Sequence, residues 1–184
     1  MLKDASPVSL SDVVRHGLCV GCGLCESLGG ARLPMRLNEE GNLRPSVPPD
    51  LEPELEARVL ASCPGLVQEG PESPRRSAVW GPYRSINIGH ARDEELRFSA
   101  SSGGVTSAAA CFLLDRDRAD VVLHVATDPQ NPLRSMACAS RSAGDVRSRV
   151  GARYGPAAPL RILRELLDAG ERIVVLAKPC DIAG

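Results

Sequence analysis

An α/β fold class follows from three segments in the second half of the chain. The Val-rich run Asp120–Ala126 reads as a buried strand, Leu160–Leu167 as an amphipathic helix, and Arg172–Ala177 as another buried strand. Strands alternating with helices are the signature of an α/β layer architecture. Length and composition allow it: 184 residues suit one domain or a small domain ahead of a larger one. At 43% hydrophobic but only 3% aromatic residues, the core must be aliphatic.

In chain order, Ser9–His16 carries Leu10, Val13 and Val14 at helical spacing, with Ser9 as a start and Gly17 as a stop. Residues 29–53 are rich in Gly, Pro and Asn and read as loop, with a short strand around Met35–Leu37. Leu51, Leu55, Val59 and Leu60 share one face of a helix that delivers Cys63-Pro64. The Pro/Gly/charge-rich link Glu69–Arg76 marks a boundary, dividing the chain into 1–76 and 77–184. Beyond it, Ser85–His90 alternates like a strand, and Gly104–Leu114 is an apolar helix entered from a Ser-Ser-Gly-Gly turn. Arg134–Ser140 is a weaker strand, and Gly170 stops the helix that begins at Leu160. The last strand runs into Lys178-Pro179-Cys180-Asp181, and Asp181–Gly184 reads as the first turn of a helix. The expectation is an α/β domain that is incomplete at its C-terminal side; a terminal strand with a short tail is the alternative.

Charge excludes some partners. The formal net charge is −1, with no basic stripe and no aromatic-interleaved Arg run, which argues against nucleic acid. Arginine carries almost all the positive charge, the lysines being Lys3 and Lys178 alone. No run of 18 apolar residues is present, so no membrane span is expected. Met1–Leu10 is polar and lacks the apolar core of a signal peptide, so a cytoplasmic location is expected. There, seven cysteines are metal ligands or buried thiols rather than disulfides.

Cys19, Cys22 and Cys25 stand at two-residue intervals, and Gly21 and Gly23 let the backbone curl around a bound group. A C-x2-C-x2-C run with a further Cys-Pro is an iron–sulfur pattern. Here one triplet and one remote Cys63-Pro64 add up to a single [4Fe–4S] cube with four thiolate ligands. The alternative is a structural zinc site, which more often pairs two C-x2-C knuckles. Cys180 lies where a strand ends, the side of an open α/β sheet at which ligands bind; a buried thiol and a ligand or cofactor neighbour are both open readings. Cys111, among Ala109, Ala110, Phe112 and Leu113, reads as core, as does Cys138. His16, His90 and His124 read as structural.

Ser101-Ser102-Gly103-Gly104 precedes an apolar helix, and a helix N-terminus with glycines admits a phosphate. An ordinary N-cap turn has the same composition.

Five motifs in order carry a resemblance: Cys-Val-Gly-Cys-Gly-Leu-Cys (19–25), Ser-Cys-Pro-Gly (62–65), Ser-Ser-Gly-Gly-Val-Thr (101–106), Gly-Ala-Arg-Tyr-Gly-Pro (151–156) and Lys-Pro-Cys-Asp-Ile-Ala (178–183). Together they resemble the coenzyme F420 hydrogenase/dehydrogenase β-subunit family, which includes 7-hydroxymethyl chlorophyll a reductase. The resemblance implies an enzyme, an iron–sulfur flavoprotein with a ferredoxin-like N-terminal segment and an α/β flavin-binding domain. It implies FAD close to the cluster, with a hydride passed to or from coenzyme F420 or another organic substrate. It further implies that Ser101, Ser102, Gly103, Gly104, Thr106 and Tyr154 contact the flavin, with Lys178 and Cys180 at its edge as catalytic candidates. A redox partner (a ferredoxin, hydrogenase or formate dehydrogenase subunit) is implied too. Members usually continue past the Pro-Cys motif, so a non-catalytic electron-transfer module that binds only the cluster is the second expectation.

Overall fold

The computed structural model describes residues 8–66 and 72–183. Residues 1–7, 67–71 and Gly184 lie outside the described residues, and with them the first part of the expected boundary segment Glu69–Arg76 and most of Met1–Leu10.

The first helix, α1 (Leu10–Arg15), starts at a reciprocal cap: Asp12 N–H donates to Ser9 Oγ at 3.1 Å, and Ser9 N–H donates to Asp12 Oδ2 at 3.1 Å. Gly17, at φ +71°, ends it in the left-handed region. A short α2 (Leu24–Gly29) follows the thiol loop, where the sequence suggested no helix. The strands β1 (Met35–Leu37) and β2 (Leu43–Pro45) pair antiparallel as a hairpin. Helix α3 (Pro53–Ala61) then packs Val59 against Leu10, Cys25 and Leu33 in a small aliphatic core. Pro53 sits at the first turn of α3, where its missing N–H costs nothing.

The second part opens with a minimal hairpin, β3 (Arg76–Ser77) with β4 (Gly81–Pro82). The expected strand at Ser85–His90 does not form: the segment is irregular, and Ile86 and Ile88 face solvent. Alternation was present, but no neighbouring strand among the described residues pairs with it. Instead a helix, α4 (Glu94–Ser99), begins at Asp93, whose Oδ1 accepts Leu96 N–H at 2.8 Å. Helix α5 (Val105–Asp115) follows the glycine turn as expected.

Strand β5 (Val121–Thr127) is central in a three-stranded sheet. It pairs antiparallel with β6 (Ser135–Ser140) and parallel with β7 (Ile173–Val175). The crossover from β5 to β7 carries β6, α6 (Ala143–Ser148) and α7 (Leu163–Asp168). The chain ends in one turn, α8 (Pro179–Ile182). Strand β7 is half-buried rather than fully buried, because among the described residues β5 is its sole neighbour in the sheet.

The period of two along β5 assigns its side chains to opposite faces. Val121 and Leu123 join Cys22, Leu24, Ala137, Leu160 and Leu166 in one core. Val122 joins Ala110, Cys111 and Val146 in another. The sheet therefore lies between the thiol loop with α7 on one side and α5 with α6 on the other. Leu123 is 0% exposed, and burying such a side chain stabilises by about 1.5–3 kcal/mol.

Candidate functional site

The thiol loop is fixed by close backbone approaches. Gly21 and Gly23 adopt φ +75° and +89°, the left-handed region that a side chain disfavours. A Cβ on Gly23 would meet Ala158 Cβ at 2.9 Å and Arg161 N at 3.0 Å. Leu160 N–H donates to Cys22 C=O at 2.8 Å, and Arg161 pairs with Glu26 at 2.5 Å. The loop is thus held by the segment that leads into α7.

Cys63 arrives from the end of α3. The next glycine lets the chains touch: a Cβ on Gly65 would stand 2.5 Å from Leu18 C=O, one residue before Cys19. As a result the four predicted thiols sit within electrostatic reach of one another. Burial pushes the Cys25 thiol up to about 12, with Cys22, Cys19 and Cys63 adding to the rise. Cys22 is pushed up to about 11, again chiefly by burial, and burial also raises Cys19. Among the described residues, no three His, Cys, Asp or Glu side chains converge as ligands of one metal ion. Four thiols are a soft donor set of the kind that zinc and iron–sulfur centres both take. Arg44, which the sequence did not single out, lies beside the loop: its Nη1 is 3.2 Å from the Cβ position of Gly21, and its charge favours the Cys19 thiolate.

Across the sheet lies a cavity of about 240 Å³ at the C-terminal end of β7. It is lined by Thr106, His124, Arg149, Arg153, Leu176 and Lys178, among others. Of the residues expected near a flavin, Thr106 and Lys178 line this cavity. Ser101, Ser102, Gly103 and Gly104 do not, and Tyr154 is 98% exposed. The glycine turn and the 151–156 motif nevertheless meet, since Ala152 N–H donates to Ser101 Oγ at 2.7 Å. Cys180 is half-exposed on α8, off the cavity wall. The hydroxyl and cationic lining suits the charged portion of a flavin dinucleotide, whereas about 240 Å³ is too small for the whole molecule.

Asp181 connects the two sides. It is 1% exposed, with Oδ2 accepting Lys178 N–H at 3.2 Å and lying 3.4 Å from Lys178 Nζ. Its Oδ1 is buried and has no hydrogen-bond partner among the described residues. Its charge also helps raise the Cys22 thiol, so the Lys178–Asp181 turn runs from the cavity to the thiol loop.

His124 is buried in the cavity wall, and burial followed by the charge of Arg149 lowers its pKa below the ordinary 6.5. The unfolded imidazole therefore takes up a proton at higher pH than the folded one, and the fold loses stability as pH falls below about 6.5. Urea unfolding at about pH 5 and about pH 7.5 is expected to register this loss, and His124→Gln to shrink the difference. An undiminished difference in the variant would remove His124 from the account.

Residues 87–164 match the family described as coenzyme F420 hydrogenase/dehydrogenase, beta subunit N-term. Among solved structures, the chain is similar to one from the xenon-derivatized F420-reducing [NiFe] hydrogenase complex of Methanosarcina barkeri. Identity is 22% and the TM-score 0.43, and the match covers 47% of this chain and 30% of that one. No curated protein matches the chain. Among the described residues, no helix is long and apolar enough to cross a membrane.

Proposed function

We propose that this chain, which belongs through residues 87–164 to the coenzyme F420 hydrogenase/dehydrogenase β-subunit family, is an iron–sulfur flavoprotein oxidoreductase. One observation carries the reading: Cys22 packs on one face of β5 with Cys19, Cys25 and Cys63 within electrostatic reach of one another, a cationic cavity opens on the other face, and the Lys178–Asp181 turn lies between them. Bound there, a [4Fe–4S] cluster would supply one-electron exchange, and FAD would supply hydride exchange with coenzyme F420 or another organic substrate. Cys19, Cys22, Cys25 and Cys63 would hold the cluster, with Gly21 and Gly23 admitting it close to the backbone. Thr106 would donate its hydroxyl in the cavity, and Lys178 would balance negative charge there. Ser101, Ser102, Gly103, Gly104, Tyr154 and Cys180 complete the proposed flavin contacts. Under this reading residues 1–76 serve the cluster and 77–184 the flavin, and a redox partner protein exchanges electrons with the chain.

The whole protein, purified without oxygen, is expected to contain four irons and one flavin per chain, with broad iron–sulfur absorbance beneath the flavin bands. A colourless preparation that contains zinc and no iron overturns the reading. The cavity volume favours a second reading, in which the chain holds a cluster and transfers electrons without a flavin of its own. Stoichiometric binding of FAD in a titration separates the first reading from the second.

A further inference from the structure

The cavity beside β7 is lined by three cationic side chains, Arg149, Arg153 and Lys178, and by no carboxylate. Lys178 has Asp181 as its acidic partner. Arg153 donates to neutral acceptors, Ser135 Oγ at 3.2 Å and the carbonyls of Pro132 and Arg134 at 2.9 and 3.0 Å. Arg149 donates through Nη1 to Ala139 C=O at 3.0 Å and to Ser140 Oγ at 2.8 Å. Neither guanidinium enters an ion pair among the described residues. Asp145 feels the charge of Arg149, but its Oδ2 is taken by the N–H groups of Arg141 and Ser142 at 3.1 Å each. Two guanidiniums thus face one cavity without a counter-charge.

Ser140 is 0% exposed, so its O–H needs an acceptor inside the protein. An arginine can only donate, so Ser140 Oγ accepts from Arg149 and gives its own proton to His124 Nε2, 2.8 Å away. His124 is then neutral, with its proton on Nδ1. The chain Arg149–Ser140–His124 has a fixed direction; Arg149 also reaches the Cys138 thiol, and its five N–H donors exceed these three partners.

We propose that Arg149, aimed by Ser140 and flanked by Arg153 and Lys178, is the recognition residue of a binding site for a phosphate-type oxyanion. Three cations around one cavity favour a multiply charged phosphate over a singly charged carboxylate. The planar guanidinium fork matches two phosphate oxygens. Ser140 is a positioning residue that acts through Arg149. The site goes beyond the flavin reading, because any phosphorylated ligand supplies the same chemistry.

The test is calorimetric titration of inorganic pyrophosphate into the whole protein. Saturable binding at one site per chain is expected, weakened by Arg149→Gln about tenfold or more and less by Arg149→Lys. Ser140→Ala is expected to weaken binding severalfold and to change the imidazole signals of His124 in heteronuclear NMR, as a purely structural serine would not. Ser140→Thr, which keeps the hydroxyl, is expected to restore both. No pyrophosphate binding, or equal binding by Arg149→Gln, overturns the proposal; that variant lies on an exposed residue and tests it even if Ser140→Ala fails to fold. Competition by FAD would place a cofactor phosphate in the site, and simultaneous binding would assign the site to another phosphorylated ligand; both support it. Pyrophosphate binding by a protein that never binds FAD leaves the site standing and overturns the flavin reading.

Discussion

Cys25→Ser is expected to abolish the iron content and the visible absorbance of the anaerobically purified protein. The side chain is buried at the base of α2 beside Leu10, Leu33 and Val59, and three further thiols lie within electrostatic reach. Serine keeps the approximate shape but replaces a soft, ionisable sulfur with a hard hydroxyl that stays protonated. Burial and mutual repulsion push the Cys19, Cys22 and Cys25 thiols towards the neutral form, and in the proposed reading a cationic centre among them makes the thiolates favourable. Losing one donor from such a set weakens the remaining three. The control is Cys111→Ser on α5, where the thiol packs against Val122 and Val146 and its S–H donates to Ala143 C=O at 3.7 Å. Iron per chain should be unaffected there. Full iron in Cys25→Ser would overturn the assignment of Cys25 as a ligand.

Gly104→Val carries the largest expected loss of stability, about 2–5 kcal/mol. Gly104 has φ +71°, and an added Cβ would meet Leu96 C=O at 3.0 Å and Ala91 Cβ at 3.3 Å. A left-handed conformation costs a side chain about 1–2 kcal/mol, and forcing bulk into a packed site adds about 1–3 kcal/mol. Ser102 and Gly103 are left-handed as well, at φ 53° and 68°, so the turn has no slack with which to yield. The consequence reaches the cavity, because this turn places Thr106 in the first turn of α5 and holds the 151–156 loop through Ser101. Gly151→Ala is the comparison: φ is +112° but nothing lies within 4 Å of the new Cβ. Urea unfolding should therefore show a much smaller loss there. Equal losses in the two variants would mean that close packing does not fix the glycine turn.

The elements legible in the sequence were those whose signal is local. Helix α1 announced itself through Ser9 and Gly17, α5 through its apolar run, and β5 through consecutive valines. The capping box of Ser142 with Asp145 that opens α6 was equally readable and was passed over. Helix α2 hid inside the glycine-rich thiol loop, and β2 ends on Pro45, a residue that reads as loop. Ser85–His90 shows the opposite failure, since period-two patterning without a partner strand makes no strand. Cys19, Cys22 and Cys25 were legible as a group from their spacing, and Cys63 from its Cys-Pro pair; that Cys63 comes near the loop because Gly65 meets Leu18 was not. The cavity was not visible. Arg149 and Arg153 are two arginines among many, and their convergence on β6 is a matter of packing. His124 meets Ser140 only because the β5–β6 register sets Val122 opposite Ser140 and His124 opposite Cys138, putting His124 and Ser140 on a same-face diagonal. Asp181 stood in a quoted motif, yet its burial and its link between Lys178 and the thiol loop were unreadable.

Strand β5 is a party wall, with Leu123 turned to the thiol loop and His124 to the cavity. Its neighbours on the two sides come from distant stretches of chain, yet a shift in the strand would displace both together. Recombination between relatives should respect that constraint. A chimera that exchanges residues 8–66 alone would set a foreign thiol loop against native Val121, Leu123, Leu160 and Leu166, whereas one that also carries β5 and α7 keeps the matched surfaces together. Inheritance in this chain is expected to follow the wall rather than the boundary drawn along the sequence.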